Sequence, residues 1–123
     1  MPVISTADVV VHEVHGSRFV SYVAPAHGSE QLAAWRLEVP AGTRGMPHCP
    51  SREEVLLVLA GELHLTLDGV DHRLRPGDVA LVPAGSEIAV GTGSEDASAW
   101  VTTTPGLQAT LADGTRFTPP WAS

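Results

Sequence analysis

Residues 61–85 read GELHLTLDGVDHRLRPGDVALVPAG, and the centre of that stretch decides the fold. Asp68-Gly69 is a two-residue hairpin signal. Such a tight turn needs positive φ at both positions, which Gly adopts freely and Asp tolerates. Fixing the turn there fixes the register. Leu67 then opposes Val70, Leu65 opposes His72 and Leu63 opposes Leu74, which makes one face apolar. On the other face Thr66 opposes Asp71, His64 opposes Arg73 and Glu62 opposes Arg75, so opposite charges stand across from each other. Two independent patterns agree on one antiparallel hairpin.

Working outward, Arg75-Pro76-Gly77-Asp78 and Pro83-Ala84-Gly85 read as turns around a short strand at 79–82. Upstream, VLLVLA at 55–60 is apolar on both faces. That is the pattern of a strand covered on both sides or lying at a subunit interface. FVSYVAP at 19–25 alternates, and Trp35, Leu37 and Val39 alternate with Arg36 and Glu38, so both stretches read as half-buried strands. Residues 40–52 hold three Pro and two Gly and read as a structured loop. Downstream come a strand stub at 88–90, a strand at 99–103 and an edge strand at 107–111. In the strand at 99–103, Val101 takes one face and Trp100 and Thr102 the other. The prolines of the tail FTPPW, 117–121, keep it out of a central strand, and its two aromatics are expected to pin it to the body. About eight short strands predict one all-β barrel or sandwich domain over 1–123.

Fourteen acidic residues outnumber seven basic ones, a formal net charge of −7. That average field repels phosphate backbones and anionic lipid, so neither nucleic acid nor a membrane is an expected partner. Cys49 is the only cysteine, so an internal disulfide is ruled out. With no signal-like segment and no run of about 18 apolar residues, the expected setting is the cytoplasm. All seven basic residues are Arg, and Ala, Gly and Pro are abundant, a usage suggesting a GC-rich bacterial genome.

Two stretches resemble the paired motifs of the cupin superfamily. Gly42, His48, Pro50, Glu54 and Gly61 keep the spacing of its first motif over 42–61. Gly77, Pro83, Gly85, Ile88 and Thr92 keep that of its second motif over 77–92. The resemblance implies a cupin-type antiparallel β-barrel (a jelly roll, or double-stranded β-helix), a small-molecule pocket and a homodimer. It also implies a divalent metal held by two His and a Glu from the first motif and a His from the second. Pro50 stands where the second of these His would be, Ile88 where the last would be, and Thr92 where the motif ends in Asn. His48 and Glu54 alone remain, short of the three protein ligands that a stable transition-metal site uses.

Few residues are placed to supplement them. Cys49 adjoins His48 but points to the opposite face if the backbone is extended. His72 shares a hairpin face with Leu65, near the turn. His12 reaches the pocket only if the N-terminal segment folds over a barrel mouth. His15, His27 and His64 read as solvated. Glu54 beside VLLVLA is costly to bury ionised, so a partner, a metal or a raised pKa must accompany it.

Three functions stay open. In the preferred one, His48 and Glu54 are the acid/base pair of a metal-independent isomerase, cyclase or lyase, without a cofactor. Trp35, Leu56, Val58, Trp100 and Thr102 would line its substrate pocket. In the second, the same pocket holds a small ligand without chemistry. In the third, a weakly held divalent transition metal on His48 and Glu54, joined by Cys49, His72 or His12, serves an enzyme such as a dioxygenase.

Overall fold

The computed structural model describes residues 3–123. Twelve strands among them form two six-stranded antiparallel sheets. The first runs β1 (Val10–Val14), β2 (Ser17–Val23), β3 (Ala33–Val39), β10 (Ala97–Thr103), β5 (Glu54–Ala60) and β8 (Val79–Val82). The second runs β12 (Arg116–Phe117), β11 (Ala109–Leu111), β4 (His48–Pro50), β9 (Ile88–Thr92), β6 (Leu63–Leu67) and β7 (Val70–Leu74). No helix among the described residues is long and apolar enough to cross a membrane.

The hairpin of β6 and β7 has the register read from its turn. Leu67 pairs with Val70, Leu65 with His72 and Leu63 with Leu74, while Asp68 and Gly69 take φ of 48° and 81°. The apolar face is fully buried only on β6, and on β7 only Leu74 is buried, in part. Leu63 and Leu65 are in the core, whereas β7 pairs with nothing beyond β6 and leaves Val70 and His72 exposed.

Side-chain alternation builds the core between the sheets. Trp35, Leu37 and Val39 of β3, Leu56 and Val58 of β5, and Ala99 and Val101 of β10 point inward. They meet Leu63, Leu65 and Ile88 of the facing sheet. Each fully buried Leu, Val or Ile contributes roughly 1.5–3 kcal/mol. The tail closes one end of this core. Trp121 stacks on Phe19 at 3.8 Å between ring centroids, and the Ser21 hydroxyl donates to the Trp121 carbonyl at 2.7 Å.

One expectation needs correction, and of the two readings of the strand at 55–60 only the interface one is left. Residues 40–52 are not all loop, because β4 runs between β11 and β9. Three residues framed by Pro47 and Pro50 are too few for alternation to show. The strand at 55–60 is not covered on both faces either. Glu54, Leu56 and Val58 face the core, but Val55 and Leu59 are exposed, as are Val79 and Leu81 of the neighbouring edge strand. Across the two strands Val55 pairs with Leu81 and Leu57 with Val79, so these apolar side chains form one outer patch.

Candidate functional site

A cavity of about 130 Å³ lies between the sheets. Its walls are mostly apolar, with Trp35, Leu56, Ile88, Val101 and Trp121 among them, and His15, Thr43, Arg44 and Met46 also line it. Positions 48, 50, 54 and 88 of the two motifs all reach this cavity. The reason is register. His48 and Ile88 are direct cross-strand partners, Pro50 lies two residues along β4 on the same face, and Glu54 opens β5 opposite Val82.

Glu54 is 6% exposed and has no hydrogen-bond partner among the described residues. Burial alone pushes its carboxyl from 4.5 up to about 7, because desolvation penalises the charged form and nothing nearby compensates. His48 forms no ion pair with it. Instead the His48 Nδ1–H donates to the Met46 carbonyl at 3.0 Å. A carbonyl can only accept, so the neutral ring carries its proton on Nδ1 and leaves the Nε2 lone pair free.

The residues do not fit a metal. Pro50 and Ile88 fill two of the four ligand positions with buried hydrocarbon. No group of three or more His, Cys, Asp or Glu among the described residues is placed to hold an ion. Cys49 pairs across to Thr110 and does not line the cavity, as expected of the residue beside His48 on a strand. His72 is exposed on β7, away from the cavity. His12 sits outside the lining too, 6.4 Å from Trp121 between ring centroids.

Of the expected pocket residues, Trp35 and Leu56 line the cavity and three others do not. Val58 points inward but packs in the core away from it. Trp100 and Thr102 lie on the outer face of β10, where Trp100 packs against Tyr22 at 5.2 Å between centroids. Val101 takes the inward place.

His15 and Arg44, both exposed, also line the cavity. His15 has φ of 52° and precedes Gly16 at 82°, a second two-residue turn that carries it to the cavity. That His-Gly pair was a legible signal. Arg44 has no sequence signal, because it is placed by a loop clamped onto β9. Thr92, standing in for the motif Asn, accepts from the Thr43 N–H at 3.0 Å, and its hydroxyl donates to the Pro40 carbonyl. The Thr92 N–H donates to the Thr43 carbonyl at 3.0 Å, and the Gly42 N–H to Gly93 at 2.8 Å. Gly45 and Gly91 let the two backbones touch, since a Cβ on Gly45 would collide with Val90 and one on Gly91 with Thr43.

The sequence profile described as Cupin domain matches residues 35–103, more than half of the chain. The chain belongs to the cupin family. Among solved structures, the polyketide cyclase RemF from Streptomyces resistomycificus superposes with a TM-score of 0.76 at 20% identity, over 87% of this chain and 83% of that one. An RmlC-like cupin from Shewanella frigidimarina gives 0.72 at 20% identity, over 83% and 88%. The DMSP lyase DddQ from Ruegeria pomeroyi is 31% identical with a TM-score of 0.64, over 70% of this chain and 45% of that one. Endoribonuclease YbeY of Myxococcus xanthus is 34% identical over 74 residues, 59% of this chain and 25% of that protein. The chain thus spans a quarter of that relative's length. With these likenesses the two sheets are a cupin jelly roll.

Proposed function

We propose that this cupin binds a small molecule between its sheets and acts on it as a metal-independent isomerase, cyclase or lyase. One observation carries the reading: Glu54, buried and unpaired, presents a carboxyl that titrates at about 7 to an apolar cavity that His48 also lines. Near neutrality such a carboxyl is present both as acid and as base, the condition under which proton transfer is most effective. The protonated carboxyl gives its proton to one atom of the ligand, while the free lone pair on His48 Nε2 takes a proton from another. The proton count is unchanged, as an isomerisation, ring closure or elimination requires. A cyclase and a lyase stand among the similar structures, which agrees with the reading without fixing it.

Exchange of the α-hydrogens of cyclohexanone into D2O, followed by NMR, tests the pair. The protein should accelerate exchange, and His48→Ala and Glu54→Gln should each lose roughly 100-fold or more of that acceleration. Full activity in both variants would refute the roles. Ligand binding with no exchange in the native protein would favour the second reading, a non-catalytic binding module.

The outer patch of Val55, Leu57, Leu59, Val79 and Leu81 supports a homodimer, because apolar surface of this kind gains by being covered. A net charge of −7 argues against a nucleic-acid partner or an anionic membrane. A lone free Cys49 suits a reducing bacterial cytoplasm.

A further inference from the structure

We propose that the cavity takes a small organic anion, a carboxylate on an apolar body about one six-membered ring in size, with Arg44 gripping the carboxylate. This rests on the small-molecule reading above and narrows it.

Size comes first. The cavity of about 130 Å³ is close to the roughly 150 Å³ of an apolar cavity that accepts benzene. A single six-membered ring fits that volume. Trp35 and Trp121 give that ring aromatic walls, and their edge-to-face packing at 6.4 Å holds both in place.

Charge gives the rest. The chain carries fourteen acidic residues, yet among the described residues only Glu54 lines the cavity. Its carboxyl is half neutral at about pH 7 and opposes an anion less than an ordinary carboxylate would. Among the described residues Arg44 is the one Arg in the lining. In a protein of net charge −7 the described lining therefore sets one fixed cation beside one weakly ionised carboxyl.

Arg44 is also uncommitted. Arg18 and Arg36 are bound to Glu38 at 2.8 and 3.0 Å, and Arg73 lies 3.8 Å from Glu62. Arg44 is exposed and, like Arg52, Arg75 and Arg116, forms no ion pair among the described residues, but of these four it alone lines the cavity, on a loop bonded through Thr43 to β9 and through Gly42 to Gly93 just beyond it. A guanidinium on an anchored backbone, free of protein carboxylates and beside an apolar cavity, is arranged to receive a carboxylate by two parallel hydrogen bonds.

Binding of benzoate, its neutral isostere benzamide, and toluene, followed by NMR on the full chain at about pH 6, tests this. Glu54 is then mostly protonated. The native protein should prefer benzoate over benzamide by roughly tenfold or more. Arg44→Gln should bring that ratio near one and leave toluene binding intact, which also shows that the variant is folded. Arg44→Lys should keep part of the preference. Equal binding of the two isosteres, or a benzoate preference that survives Arg44→Gln, overturns the anion proposal while toluene binding leaves the small-molecule reading standing. Failure of all three compounds to bind overturns both.

Discussion

Glu54 makes the stability of the fold depend on pH near neutrality. Folding raises its carboxyl from 4.5 to about 7, so the folded state holds the proton more tightly than the unfolded state. The stability tied to the protonated form is fully present below about pH 4.5 and is lost as pH rises through 7. Glu54→Gln keeps the shape and removes the ionisation. It should match the native protein near pH 4 and exceed it by roughly 3 kcal/mol at pH 8. Urea unfolding at both values checks this, and a difference independent of pH would contradict it. Thr92→Val removes both side-chain hydrogen bonds that fasten the Pro40–Thr43 turn and should cost about 1–3 kcal/mol in the same assay. At this scale the sequence was informative about Glu54, since a carboxylate beside VLLVLA must be unusual wherever it points. It was uninformative about Trp100 and Val101. Both are apolar neighbours on one strand, and only the placement of the facing sheet decides which turns inward.

Turn chemistry made the β6–β7 hairpin legible to the residue, because a two-residue loop leaves no freedom of register. The exposure of β7 was not legible. Whether a strand is covered depends on elements far away in sequence, and here none lies beyond it. The tail illustrates the same limit in the other direction. Its prolines excluded a central strand, as found, yet nothing local showed that Trp121 would stack on Phe19 and form a wall of the cavity. Trp121→Ala removes that wall and the stack together. It should lower stability by roughly 3–5 kcal/mol, read from thermal unfolding. A change below about 1 kcal/mol would mean that the tail does not pack as described.

Over the whole molecule, the glycine and proline frame of 42–61 and 77–92 announced the jelly roll, and the sheets bear it out. The frame also brings positions 48, 50, 54 and 88 together, since all four line one cavity. It did not announce Arg44, whose place depends on the contact of Gly45 and Gly91 with the opposing backbones. The outer patch gives a prediction of its own. Light scattering should report twice the 12.9 kDa chain mass, and Val79→Glu with Leu81→Glu should halve it without unfolding the chain. A native monomer would contradict the dimer.

The proposed chemistry turns on an unpaired carboxyl held half-protonated at neutral pH inside an apolar cavity. The most direct test is a carboxyl 13C NMR titration of the full chain, with the Glu54 resonance assigned by its loss in Glu54→Gln. A midpoint at about 7 is predicted. A midpoint at the ordinary value of 4.5 would mean that Glu54 is solvated or paired, and would contradict the proposed acid/base site.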